Sequence, residues 1–258
     1  MNLQLVIPMS GQGSRFARVG FEDPKPLIEV DGRPMIEWVL RMFPGEEEPL
    51  FICRNEHLAQ TRMRQILTTL KPNGRILGVE GAKLGPVGAL MSAADAINDD
   101  RPVLVSYCDY YMHWDYARFL AELDIGHYAG AVPCYTGFHP HLLPERNLYA
   151  SCKVDEKGDL VEIREKYSFE ADKTRSLHSP GVYFFDSGHR LKAYCNRLIE
   201  SGDMLNGEYY VSMVYNHLVA DGLRIQVPSG IEHFCQWGTP EDLNEYLYWT
   251  NLVRQRCA

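Results

Sequence analysis

Short apolar runs alternate with stretches of helical period through the first half of this 258-residue chain. No other feature narrows the available folds as much. The runs cover residues 3–7, 26–30 (PLIEV), 49–53 (PLFIC), 74–79 (GRILGV) and 102–108 (PVLVSYC), and the amphipathic stretches cover 35–42, 58–70, 88–96 and 116–123. Strands that are apolar on both faces must be covered on both faces, which the intervening helices can do only if the sheet is mainly parallel. Right-handed crossovers then give an α/β, Rossmann-like three-layer sandwich. Beyond residue 125 the pattern changes. Segments 127–135, 148–154, 160–164 and 181–186 read as strands, with DEKGDL (155–160) as a hairpin turn, so a small β-rich lobe joins the mixed sheet. Helices are expected over 191–199 and 209–219, a short strand over 224–227, and a last helix from Thr239-Pro240, where Thr suits the N-cap and Pro the first helical position. No repeat, low-complexity tract or long linker interrupts the chain, and one domain over 1–258 is expected.

Composition removes several classes. With 45% hydrophobic and 23% charged residues the chain is an ordinary globular protein, neither collagen-like, disordered nor a disulfide knot. Lys+Arg 26 against Asp+Glu 34 gives a net charge of −8, which lends no support to a nucleic-acid surface. Any phosphate must then be held by backbone amides, a few well-placed cations or a metal. The seven cysteines are irregularly spaced and form no Cys-x-x-Cys pair, which argues against zinc and dithiol redox chemistry and for a reducing compartment. The first apolar run is too short for a signal peptide and lacks a basic leader, and no stretch of about 18 apolar residues occurs. A cytoplasmic protein without a membrane partner is expected.

The first chemical candidate is the loop after the opening strand, Met9-Ser10-Gly11-Gln12-Gly13-Ser14-Arg15. Glycines there allow backbone N–H groups to approach a phosphate chain closely, and Arg15 adds a cation with a bidentate fork. A tight structural turn would use the same glycines. The third glycine of a dinucleotide fingerprint is absent, which argues against a nicotinamide cofactor. Pro24-Lys25-Pro26 follows, and prolines on both sides hold Lys25 at a rigid position. Taken alone, Lys25 could equally be a solvated lysine before a strand.

The combination of G-x-G-S-R-F, P-K-P-L and DGRPMIEWV resembles the opening of the sugar-phosphate nucleotidyltransferases, or nucleoside-diphosphate-sugar pyrophosphorylases, a GT-A-like α/β family. The resemblance runs along nearly the whole chain. LGPVGAL (84–90) is similar to the family's second glycine segment, so Gly85 and Gly88 would lie under the nucleobase, with Pro86 where many members have Thr. Asp109 ends an apolar strand where the family has its metal-binding aspartate; a turn or capping carboxylate is the alternative. Glu165-Lys166 resembles a pair whose lysine contacts the sugar phosphate, HSPGVYFF (178–185), with Gly181, a Gly-x-Tyr-x-Phe strand, and Gly207–Tyr210 a Glu-Tyr segment. The closing QWGTPEDL (236–243) resembles W-x-D-x-G-T-P-E-D-L, except that Gln236 stands where many members have a second metal-binding aspartate. Asp115 and Glu232 are further carboxylates that could assist.

The resemblance implies a nucleotide-binding half over about 1–125 and an acceptor-binding half over about 126–258. It implies Mg²⁺ as cofactor, with Asp109 as its ligand. Met9, Ser10, Gly11, Gly13, Ser14, Gly85 and Gly88 would bind nucleotide. Arg15 and Lys25 would be catalytic cations, and Glu165, Lys166 and Gly181 would bind the acceptor. The aromatic cluster Tyr107, Tyr110, Tyr111, Trp114 and Tyr116 is of a kind that more often packs core and rim, but its place next to Asp109 makes Tyr110 or Tyr111 a candidate wall of the acceptor pocket. The expected reaction joins an NTP to a sugar 1-phosphate or similar small phosphate, releasing pyrophosphate and forming an activated sugar for cell-surface polysaccharide. The rival readings are a cytidylyltransferase for a non-sugar phosphate such as phosphocholine, or a non-catalytic nucleotide-binding regulatory relative. Members often assemble as dimers or tetramers, so the resemblance allows a homo-oligomer.

Overall fold

A computed structural model describes residues 2–81, 84–145 and 147–257. The chain begins with β1 (Gln4–Met9), α1 (Ser14–Arg18), β2 (Glu29–Val30), β3 (Arg33–Pro34), α2 (Met35–Arg41), β4 (Leu50–Arg54), α3 (Asn55–Gln60), α4 (Met63–Leu70) and β5 (Arg75–Val79). It continues through α5 (Gly85–Ser92), β6 (Val103–Ser106), β7 (Tyr110–Trp114), α6 (Tyr116–Glu122), β8 (Gly130–Ala131), β9 (Ser151–Val154), β10 (Leu160–Arg164), β11 (Leu177–His178) and β12 (Val182–Phe185). The closing elements are α7 (Gly188–Ser201), α8 (Val211–Ala220), β13 (Ile225–Gln226), β14 (Ile231–Gln236) and α9 (Pro240–Cys257).

The main sheet has seven strands in the order β13-β8-β12-β6-β1-β4-β5. Its β5, β4, β1 and β6 run parallel, whereas β12 is antiparallel to both β6 and β8. This is the mainly parallel mixed sheet that the apolar alternation demands. All four residues of β6 are buried, as are Leu5 to Met9 of β1. Burying each such Val, Leu or Ile stabilises by about 1.5–3 kcal/mol. One large apolar cluster joins α5, α7 and α8 to one face, and a second joins α2, α4 and α6 to the other.

Local signals set many boundaries. Ser187 accepts the N–H of Arg190 at 3.2 Å to cap α7, which buries Leu191, Cys195 and Leu198 along one stripe. Thr239 Oγ1 accepts the N–H of Asp242 at 3.2 Å and opens α9 as expected. The hairpin between β9 and β10 turns on Asp155, whose Oδ1 accepts the N–H groups of Lys157 and Asp159, each at 2.9 Å.

Several expectations change. The run at 26–30 starts as a 3₁₀ turn, Lys25–Leu27, because Leu27 N–H donates to the carbonyl of Pro24 at 2.8 Å. The helical stretch 58–70 belongs to two helices, α3 and α4. The strand over 127–135 shrinks to β8, although Val132 and Cys134 N–H still donate to Gln226 and Pro228 carbonyls at 2.9 Å. The antiparallel pair β7–β14 was not expected at all; it pairs Gln236 with Tyr110, and it carries the turn after Asp109.

Candidate active site

The chain leaves the sheet after β6 and reaches Asp109 just before β7. The carbonyl of Asp109 accepts the N–H of Trp237 at 3.1 Å, fastening this corner to the end of β14. Lys25, held by the 3₁₀ turn between its two prolines, extends its ammonium into the corner. Nζ donates to Asp109 Oδ2 at 2.5 Å and to the carbonyl of Gly238 at 2.7 Å, and lies 5.4 Å from the centre of the Phe16 ring. Three distant segments therefore meet at one ammonium group. Asp109 Oδ1 accepts no hydrogen bond among the described residues.

A cleft of about 670 Å³ opens over this pair, and its lining includes Arg15, Lys25, Asp109, Glu165, Lys166 and Gly181. Gly181 adopts φ +100, and a Cβ there would sit 2.9 Å from Tyr107 Cδ2, so this position requires glycine. Ser212 Oγ donates to Glu165 Oε1, while burial pushes the Glu165 carboxyl above the usual carboxylate range. Lys166 takes φ +56, an uncommon value for a side-chain-bearing residue that concentrates at binding sites, and its Nζ lies 5.5 Å from the centre of the Tyr210 ring.

Met9, Ser10, Gly11, Gly13, Ser14, Gly85, Gly88 and Tyr110 lie outside the cleft lining. Met9 ends β1 and Ser10 follows it, both buried; beyond them Gly11 and Ser14, the first residue of α1, are exposed, with Gly13 partly covered. No acceptor among the described residues takes the N–H of Gly11, Gln12 or Gly13. Gly85 and Gly88 belong to α5. Gly85 has φ +73, and a Cβ on it would come within 2.8 Å of Glu208 Cβ, which explains glycine where the 208–210 segment crosses the start of α5.

Two assignments are corrected. Tyr110 does not wall the cleft: it is 1% exposed, packs on Phe234 and shares a 2.8 Å hydrogen bond with Ser106 Oγ, because strand alternation in β7 turns it into the core. Asp115 is the N-cap of α6, accepting Arg118 N–H at 2.9 Å. Gln236 does line the cleft. His139 and His141 pack with Tyr135, His178, His233 and Phe234, where burial lowers their basicity, bringing His141 to about 3. Among the described residues no three His, Cys, Asp or Glu side chains gather closely enough to hold a metal by themselves. Burial and the neighbouring Asp109 push the Cys108 thiol up to about 12, so it is no nucleophile.

Sequence reasoning missed Tyr107, Tyr149, Asn206 and Asp242, which also line the cleft. Asp242 stood inside the closing motif, accepts from Thr239 Oγ1 at 2.7 Å, and is raised by burial. Tyr149 and Asn206 carried no local signal.

Comparison with known proteins bears on this geometry. The sequence pattern of the MobA-like NTP transferase domain matches residues 5–170. Among solved structures, a nucleoside-diphosphate-sugar pyrophosphorylase from Vibrio cholerae RC9 superposes with a TM-score of 0.75 at 20% identity, over 95% of this chain and 99% of that one. A putative glucose-1-phosphate thymidylyltransferase from Bacillus anthracis gives 0.73 at 17% identity, over 96% and 94%. The inositol-1-phosphate CTP transferase from T. maritima gives 0.70 at 15% identity, over 95% and 93%. At these identities the likeness establishes the shared fold. A search of curated protein sequences finds no match.

Proposed function

The chain belongs to the MobA-like NTP transferase family, and on that footing we propose that it transfers a nucleotidyl group from an NTP to a sugar 1-phosphate or a related small phosphate. The observation that carries this reading is the convergence of Arg15, Lys25 and Lys166 with the carboxylates Asp109 and Glu165 around one cleft. An oxygen of the acceptor phosphate attacks the α-phosphorus, and the bond to the β-phosphate oxygen breaks, its electron pair leaving with pyrophosphate. The acceptor oxygen is already ionised at neutral pH, so the site needs no general base. It must instead offset repulsion between two anions and hold attacking and leaving oxygens in line. Arg15 and Lys25 supply charge for the triphosphate, the N–H groups of Gly11 to Gly13, which find no acceptor among the described residues, supply donors, and Lys166 meets the acceptor phosphate.

A magnesium ion fits the donor set. Mg²⁺ prefers hard oxygen ligands and commonly keeps several waters and substrate phosphates beside one or two carboxylates. Asp109 offers one such carboxylate, whose Oδ2 meets Lys25, and Gln236 offers only a neutral amide nearby. Asp109 would therefore hold the ion; when bound, the ion would neutralise phosphate charge. An activated sugar made here would serve cell-surface polysaccharide synthesis in the cytoplasm. Among the described residues no helix is long and apolar enough to cross a membrane.

The test is pyrophosphate release with the four common NTPs against a panel of sugar 1-phosphates, inositol 1-phosphate and phosphocholine. Turnover with one sugar 1-phosphate is expected. Turnover confined to CTP with phosphocholine would instead establish the non-sugar cytidylyltransferase, and tight nucleotide binding without turnover would sink the enzyme reading.

A further inference from the structure

We infer that Tyr210 is the positioning residue for Lys166: its ring is the platform that holds the ammonium group where an acceptor phosphate would meet it. The inference rests on the acceptor role proposed above for Lys166. Lysine is a flexible side chain whose ordering costs entropy, and a binding site gains affinity when that ordering precedes the ligand. The backbone half of the ordering comes from the left-handed turn at Lys166, directly after β10. The side-chain half comes from Tyr210, whose ring centre lies 5.5 Å from Nζ, a distance at which the negative face of an aromatic ring attracts a cation.

Tyr210 is itself held from several directions. Its hydroxyl donates to Glu208 Oε2 at 2.7 Å. The preceding residue, Tyr209, donates its N–H to the carbonyl of Leu84 at 3.0 Å and accepts the N–H of Val87 at 3.2 Å. The following residue, Val211, donates its N–H to the Tyr107 hydroxyl at 3.4 Å. Two residues further on, Ser212 holds Glu165, the neighbour of Lys166. Residues 208–212 thus clasp the start of α5, on the nucleotide side, and the Glu165-Lys166 pair, on the acceptor side. Arg15, Lys166 and Tyr210 all line the same cleft.

The experiment uses the full chain with its lysines reductively ¹³C-methylated, which preserves their charge. The Lys166 resonance is assigned by its disappearance in Lys166→Arg, and inorganic phosphate is the probe. In the wild type the Lys166 signal should show an upfield ring-current shift and should move on phosphate titration. Tyr210→Phe keeps the ring and should retain both the shift and, within about twofold, the phosphate affinity; Tyr210→Leu should lose the shift and bind phosphate about fivefold more weakly. A Lys166 signal unmoved in Tyr210→Leu would overturn the inference, and so would a Tyr210→Phe variant as impaired as Tyr210→Leu, since the hydroxyl and not the ring would then matter. The Phe variant keeps the question decidable if the Leu variant folds poorly. Should wild-type Lys166 carry the ring-current shift yet ignore phosphate, the acceptor role of Lys166 falls and the inference with it. Phosphate that moves Lys166 equally in the wild type and in Tyr210→Leu overturns the positioning role alone.

Discussion

Residues 10–13 run from β1 to Arg15 in the first turn of α1 as one continuous loop, with Gly11 exposed and the N–H groups of Gly11 to Gly13 without an acceptor among the described residues, whereas Tyr149, Glu165, Lys166, Gly181 and Tyr210 reach the cleft from separate segments. The loop has few packing partners, so its chemistry is separable from the stability of the fold. On the proposed acceptor side Gly181 touches Tyr107, Tyr149 touches His141, and Glu165 is tied to Ser212, so each group proposed to recognise the acceptor is also a packing group. Substitutions should therefore cost function alone in the loop, and function together with stability on the acceptor side.

The sharpest break should come where the two regions join. Asp109→Asn keeps the shape of the corner but removes the charge that pairs with Lys25, and turnover should fall at least about a hundredfold with the fold intact. Steady-state kinetics with circular dichroism checks this, and near-normal turnover in Mg²⁺ would remove Asp109 from the metal role. Gly181→Ala should destabilise by about 2 kcal/mol, because the new Cβ meets the Tyr107 ring in a backbone conformation that disfavours side chains. Urea unfolding measures it, and a change below about 0.5 kcal/mol would show that the acceptor side is looser than its contacts suggest.

The histidine cluster behind the acceptor side makes a third, smaller test. Burial lowers His139, His141, His178 and His233, with His141 brought to about 3. A histidine lowered in the folded state takes its proton first in the unfolded state. Stability is therefore complete above the unfolded value near 6.5 and is lost as pH falls from there toward the folded value. Between pH 7 and 5.5 His141 alone should cost about 1 kcal/mol, and His141→Phe should flatten the dependence of the melting temperature on pH. An equally steep profile in that variant would place the acid sensitivity elsewhere. Least of all should change in the stability of Arg15→Ala, within about 0.5 kcal/mol of the parent, while nucleotide affinity measured by calorimetry drops about tenfold. A large loss of stability would erase the contrast between the two regions.

Much of the nucleotide side was legible because its signals are local. A strand, two glycines, an arginine and a proline-flanked lysine announce themselves within 26 consecutive positions of the chain, and α9 was readable from Thr239-Pro240. Tyr110 was misread because alternation in β7 was hidden among five aromatic residues, which pointed equally to core and rim. The β7–β14 pair was missed for a related reason: its two strands lie more than a hundred residues apart with no turn between them to signal a hairpin. Asn206 belongs to a tight turn in which Leu205 and Glu208 exchange backbone hydrogen bonds at 3.0 and 3.1 Å, and nothing in Asn-Gly says that such a turn will overhang a cleft.

The sequence by itself determined most of the element types, the parallel core, the glycine loop and which side chains have the chemistry for phosphate. Periodicity and backbone preference act over a few residues, so a linear reading captures them. Tertiary structure alone decided that Lys25 meets Asp109 across 84 positions and Glu165 meets Ser212 across 47. It also decided that Tyr110 turns inward while Tyr210 turns toward Lys166. Those choices follow from how the strands and helices pack in space, where a charge finds its partner by proximity and not by its position along the chain.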